Sequence, residues 1–202
     1  MKIRPLGDRI VIIADASDTE SAGGLILVTK ANDTTETGTV VGVGPEAVEF
    51  AEGDRILFTK ATGSEILIEG TTYTTLNTVE VIGIIKEDGL ECIRDNIVCE
   101  NGDMGDTKTA AGIILKSNIH ESQGITRRWM QVYKIGPDVD FVTVGEWVLV
   151  EYGRWTEGFS VDAVEKAYRV DPKGCSARSD EKPDTVYYNT NVIASEKKQL
   201  EV

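Results

Sequence analysis

Short runs of β-branched and aliphatic residues recur along the chain, each bounded by clusters of Gly, Asp, Asn or Thr. In the first half they cover residues 10–13, 25–28, 39–43, 55–58, 66–68 and 81–85. In the second half they cover 96–99, 113–115, 130–135, 146–150 and 191–194. Runs of this length and composition, spaced by turn-forming residues, predict short strands. Many such strands with almost no helical periodicity predict an all-β barrel or sandwich. One stretch is compatible with a helix, residues 161–168, where Val161, Val164 and Tyr168 fall at helical spacing.

The two halves repeat. Leu6-Gly7-Asp8-Arg9-Ile10-Val11 answers to Ile93-Arg94-Asp95-Asn96-Ile97-Val98, 87 residues on. Ala22-Gly23-Gly24-Leu25-Ile26-Leu27 answers to Ala110-Ala111-Gly112-Ile113-Ile114-Leu115 at 88. Val43-Gly44-Pro45 answers to Ile135-Gly136-Pro137, and Gly53-Asp54-Arg55-Ile56-Leu57 to Gly145-Glu146-Trp147-Val148-Leu149, both at 92. Val81-Ile82 pairs with Val192-Ile193 at 111, which places an insertion before the last strand of the second copy, at residues 171–184. Pro, Gly, Ser and charge in that stretch read as a surface loop. The chain thus divides into a first copy over residues 1–88 and a second, divergent copy over 89–202.

Composition narrows the function classes. Of 202 residues, 41% are hydrophobic and 27% charged, a globular balance. No apolar run approaches the roughly 20 residues of a spanning helix, so no membrane partner is expected. The net charge is −13. The first 88 residues carry 7 basic and 15 acidic side chains, and the remainder 14 and 19, so both copies are acidic. A phosphate backbone would meet an opposing field, which argues against nucleic acid. The N-terminal residues show neither an apolar signal core nor an Arg-rich transit pattern, leaving the cytoplasm as the expected compartment.

Catalytic chemistry has few places to reside. Cys92, Cys99 and Cys175 are odd in number and form no CxxC pair, which argues against a disulfide framework and a metal site. The single histidine, His120, sits in a polar loop-like stretch. The acidic pairs Glu87/Asp88 and Asp138/Asp140 read as solvated turns. Gly42-Val43-Gly44 lacks the third glycine and the following helix of a dinucleotide fingerprint. No catalytic residue, metal or cofactor is expected. Trp129, Trp147 and Trp155 all lie in the second copy and read as packing residues, with Trp155 the most exposed.

With the motifs set out, the first 86 residues resemble the GroES family of co-chaperonins, the chaperonin-10 fold. Ile3-Arg4-Pro5-Leu6 with Asp8-Arg9-Ile10-Val11 resembles the family's opening strand. Gly23-Gly24-Leu25-Ile26-Leu27 resembles its mobile-loop motif, two glycines followed by three aliphatics. The runs beginning at Gly38, Gly53 and Val81 follow in the family's order. In the second copy Gly112-Ile113-Ile114-Leu115, Ile135-Gly136-Pro137 and the Gly145 strand carry the likeness. The resemblance implies two tandem, partly open GroES-like β-barrels and a homo-oligomeric ring. It also implies docking on a GroEL-type chaperonin through Gly23, Gly24, Leu25, Ile26 and Leu27 and through Gly112, Ile113, Ile114 and Leu115. ATP hydrolysis would belong to the partner.

The physics of the motif suits that role. Polar residues on either side of Gly23 to Leu27 cannot pack a core, so the loop should be mobile when free. Each aliphatic is worth about 1.5 to 3 kcal/mol on full burial in a partner's groove, and ordering the flanks offsets part of this. Binding becomes useful when several loops engage together. One departure from the family stands out. Only eight residues separate Gly44 from Gly53, and eight separate Gly136 from Gly145, too few for the roof hairpin of typical members. A ring would then be open at its centre. A structural or assembly protein, for example of a viral particle, that keeps the barrel without the chaperonin is the alternative.

Overall fold

The computed structural model describes residues 3–15, 35–60, 62–100 and 127–183, and the backbone of 107–108 and 114–115. In chain order the strands are β1 (Arg9–Ala14), β2 (Thr35–Val43), β3 (Arg55–Thr59), β4 (Ser64–Ile68), β5 (Thr71–Asn77), β6 (Val81–Lys86), β7 (Gly89–Cys92), β8 (Ile97–Glu100), β9 (Thr107–Lys108), β10 (Ile114–Leu115), β11 (Arg127–Ile135), β12 (Trp147–Glu151), β13 (Phe159–Val161), β14 (Val164–Val170) and β15 (Cys175–Ser179). Apart from two 3-10 turns, Thr78–Glu80 and Pro172–Gly174, regular structure among the described residues is all strand. No helix there is long and apolar enough to cross a membrane.

Two antiparallel sheets form the body, in the orders β4-β5-β1-β2-β3-β6-β7 and β13-β14-β8-β11-β12-β15. Alternation drives each strand. In β2 every second residue from Gly38 is buried, and in β11 Arg128, Met130 and Val132 alternate with half-buried or exposed neighbours. Ile10, Ile12, Val40, Phe50, Ile56 and Phe58 anchor the first core. Ile97, Cys99, Met130, Val132, Val148 and Val150 anchor the second.

The duplication holds register by register. β1 faces β2 with Ile10 opposite Val43 and Ile12 opposite Val40, across a bulge. β8 faces β11 with Ile97 opposite Ile135 and Cys99 opposite Val132, across a bulge at the same place. The short connections also match: Gly53 donates to the Val40 carbonyl and Gly145 to the Val132 carbonyl, both at 2.8 Å. Residues 44–54 and 136–146 form turns with no strand among them, and Ala47, Phe50, Val139 and Val142 tuck back into the two cores.

Two sequence expectations are corrected. Residues 171–184 were expected to hold a loop insertion. Over 171–179 they instead form the closing turn and strand of the second copy, because β15 pairs with β12 as β6 pairs with β3. Phe58 meets Val81 and Ile56 meets Ile84; Val150 meets Cys175 and Val148 meets Arg178. The counterpart of β6 therefore lies 94 residues on; residues 191–194, with Val192 and Ile193, lie outside the described residues. The segment looks like a loop because among the described residues only its inner edge is paired and its side chains are exposed or half-buried, so they can be polar. Residues 161–168 are likewise the end of β13, a turn and most of β14. There Phe159 pairs with Ala167 across the hairpin, and tertiary pairing overrides the local spacing.

Candidate functional site

The first candidate loop leaves the barrel at the end of β1 and returns at β2. Gly23, Gly24, Leu25, Ile26 and Leu27 lie outside the described residues, whereas Ala14, Asp15, Thr37 and Gly38 lie within them. Ala14 pairs with Gly38, and Asp15 N–H donates to the Thr37 carbonyl at 2.9 Å. The Asp15 carboxylate accepts from the Thr37 hydroxyl and from Arg55 Nη2, the latter at 2.8 Å. The Thr37 hydrogen bond is the chief reason its pKa lies below the usual value; it outweighs burial, and Arg55 adds to it. This clamp fixes where the loop begins and ends on an otherwise exposed rim.

The second loop runs from the end of β8 to β11. Gly112 and Ile113 lie outside the described residues, whereas Ile114 and Leu115 form β10, which pairs with β9 as Ile114 to Lys108 and Leu115 to Thr107. Arg127 and Glu151 face each other at its root, 3.9 Å apart. Trp147 is buried; Trp129 and Trp155 are half-buried. Trp155 meets Tyr152 edge to face, with the Arg128 guanidinium 5.1 Å from its ring centre. His120 lies outside the described residues.

Reactive groups are quenched rather than poised. Burial pushes the Cys92 thiol up to about 12 and the Cys175 thiol up to about 11, and raises the Cys99 thiol well above its ordinary value. All three are therefore protonated near neutrality, the inert form. Among the described residues no group of three His, Cys, Asp or Glu side chains could hold a metal ion.

A feature that local sequence reading missed is the joint between the copies. Strand β7 belongs by sequence to the second copy yet adds to the edge of the first sheet, with Ile84 opposite Glu91 and Ile85 opposite Leu90. The strands approach so closely that a Cβ on Gly83 would clash with the Glu91 carbonyl oxygen. Ile93 then enters the first copy's core. A third apolar cluster joins Leu57 and Ile82 of the first copy to Leu90, Val98, Phe159 and Ala167 of the second.

Polar groups seal the rim of this joint. Asp162, at the β13–β14 turn, accepts from the Leu90 N–H and the Tyr133 hydroxyl, each at 2.9 Å, and pairs with Lys134 Nζ at 3.0 Å. Burial pushes its carboxyl up, but the hydrogen bonds from Lys134, Leu90 and Tyr133 outweigh that and hold its pKa below the ordinary value. Burial and the same carboxylate raise the Tyr133 phenol, which stays a donor. Asn96, buried, donates to the Val81 and Ile93 carbonyls at 3.1 and 2.8 Å. Arg169 donates to the Val79 carbonyl at 2.8 Å. The signal for this joint was the repeat itself, which makes residues 90–93 the counterpart of 3–6.

Two small antiparallel β units joined through a shared apolar cluster, with β1 on β2 and β8 on β11 in matching register, define a tandem form of the chaperonin-10 fold. Residues 2–85 match the family model described as Chaperonin 10 Kd subunit. The chain is similar to the protein named Co-chaperonin GroES of Rhodothermus marinus, at 35% identity over 96 residues that span 44% of this chain and 96% of the relative. It is also similar to that of Treponema denticola, at 33% over 88 residues (43% of this chain, all of the relative), and to that of Clostridium kluyveri, at 37% over 94 residues with the same coverage. The chain belongs to the co-chaperonin GroES family, which is not a family of enzymes. The register-matched second sheet makes it a tandem form.

Proposed function

We propose that this protein is a co-chaperonin that docks on a GroEL-type chaperonin ring and assists protein folding without chemistry of its own. The observation that carries the reading is the match to proteins named Co-chaperonin GroES over 96 to 100% of their length. Its units are residues 1–88 and 89–202. The docking groups are Leu25, Ile26 and Leu27, led by Gly23 and Gly24, and their counterparts Ile113, Ile114 and Leu115, led by Gly112. The pinned neck at Asp15, Thr37 and Arg55 supports the reading, because it lets a loop engage a partner without disturbing the barrel. Burial of three aliphatics per loop gives weak single-site binding, and two loops per chain, multiplied by self-assembly, supply avidity. A chaperonin partner places the protein in the cytoplasm with the ring.

The test is co-sedimentation with the chaperonin of the native host, with and without nucleotide. Wild type should associate in a nucleotide-dependent way, and Leu25→Ser combined with Ile26→Ser should weaken association at least tenfold. Absence of nucleotide-dependent association by wild type refutes the co-chaperonin reading in favour of a barrel kept for assembly alone.

A further inference from the structure

The two copies differ in the connection that follows the fourth of their matching strands. The first copy joins β3 to β4 through Lys60-Ala61-Thr62-Gly63, whereas the second joins β12 to β13 through Tyr152-Gly153-Arg154-Trp155-Thr156-Glu157-Gly158. The longer connection leaves the sheet next to Glu151, which pairs across the strands with Arg127, where the second loop returns to the barrel. It therefore stands on the same rim as the root of that loop.

The connection is braced from both sides. The Arg154 N–H donates to the Glu151 carbonyl at 3.1 Å, and the Asp171 N–H donates to the Arg154 carbonyl at 2.8 Å. The Arg154 guanidinium also donates to the Asp171 carboxylate at 2.9 Å. Trp155 bridges to Val170, the Thr156 N–H donates to the Arg169 carbonyl at 2.9 Å, and the Arg169 N–H donates to the Thr156 hydroxyl at 3.0 Å. Gly174 lies against Arg154, and a Cβ there would clash with the arginine side chain. A segment held this way has little freedom left to lose when a partner arrives.

The side chains it presents are not explained by packing alone. Trp155 leans on the second core, but Tyr152 is 60% exposed and belongs to none of the three apolar clusters. Its ring meets Trp155 edge to face, with the Arg128 guanidinium against the same indole. Trp, Tyr and Arg are the residue types that dominate binding at protein interfaces. Arg127, Arg154 and Lys173 add exposed cations at this rim, in a chain whose net charge is −13.

We propose that Tyr152, Trp155 and Arg128 form a second, rigid contact with the chaperonin, beside the root of the second loop, and that it receives a chaperonin segment bearing aliphatic and carboxylate side chains. The rings cover the aliphatic groups, and the cations around them face the carboxylates. This rests on the proposed function and adds a partner surface to it. The second loop has one glycine, Gly112, where the first has Gly23 and Gly24, and only the second copy carries the aromatic connection. A fixed contact next to a mobile one raises the effective concentration of the loop at its groove.

Association with the native host's chaperonin in the presence of nucleotide tests this. Tyr152→Ala should keep the urea midpoint of wild type and weaken association about tenfold, and Tyr152→Phe should leave association unchanged. Benzophenone maleimide on Tyr152→Cys, in a Cys175→Ser background, should cross-link to the chaperonin on illumination. The same probe on Val48→Cys, exposed beyond the far end of β2, should not. Wild-type association that Tyr152→Ala leaves intact, or a probe at 152 that labels the chaperonin no better than the probe at 48, overturns this inference alone. A cross-link from 152 only to the chain's own residues 101–126 also overturns it and assigns the platform to the second loop. Absence of association by wild type overturns the proposed function and this contact with it.

Discussion

Leu6 and Ile93 occupy the same position in the repeat and opposite environments, which makes their truncation a direct measure of the joint. Ile93→Ala removes three carbon atoms from a side chain that is 5% exposed and packed into the first copy's core. At about 0.8 kcal/mol per buried carbon the transfer loss alone is about 2.4 kcal/mol. The cavity left behind brings the expected cost to about 3 to 4 kcal/mol, within the span known for such changes. Leu6→Ala, on a residue 75% exposed, should stay within about 0.5 kcal/mol when the protein is dilute enough to be a single chain. Urea denaturation followed by circular dichroism and by tryptophan fluorescence separates the contributions. All three tryptophans lie in the second copy, so fluorescence reports that copy and dichroism reports both. The shared core should make the two wild-type curves coincide, and Ile93→Ala should lower both midpoints. A cost below about 1 kcal/mol for Ile93→Ala, or an equal cost for Leu6→Ala, would refute the burial argument.

Asp162 makes the joint acid-sensitive. Its folded pKa lies below the ordinary carboxylate value, so its contribution is complete above about pH 4 and is lost as pH falls through the folded value. Asp162→Asn should cost about 1.5 kcal/mol at pH 7, with the difference from wild type shrinking below about pH 4 in a pH series of urea curves. The three thiols should resist modification in the native state, since each is buried enough to stay protonated at pH 8. Thiol-reactive dye should label Cys175 slowly and Cys92 and Cys99 only after unfolding; fast labelling of Cys99 would contradict its burial.

The strands with unbroken aliphatic runs, β1, β3, β6, β8 and β12, were legible because both faces of each are at least partly covered, so the apolar pattern is dense. β5, β14 and β15 were not. Thr-rich β5 and charge-bearing β14 each expose part of one face, and β15 exposes nearly all of its side chains. What holds them is backbone pairing, which leaves little trace in side-chain type. The proposed docking motifs rest on a local pattern instead, glycine leading three aliphatics inside a polar stretch, and they lie largely outside the described residues.

By itself the sequence determined the strand-rich class, the duplication, the acidic surface and the family, because these reside in alternation, spacing and residue identity. Only the tertiary structure decided which copy of a repeated residue is buried. Leu6 and Ile93 are interchangeable in the repeat, and the difference between them is the presence of a neighbouring barrel. It likewise decided that 171–179 form the turn and strand that follow β14 in the second copy, because a strand whose side chains are mostly exposed is specified by the partner it pairs with, and that partner, β12, lies more than 20 residues away in the chain.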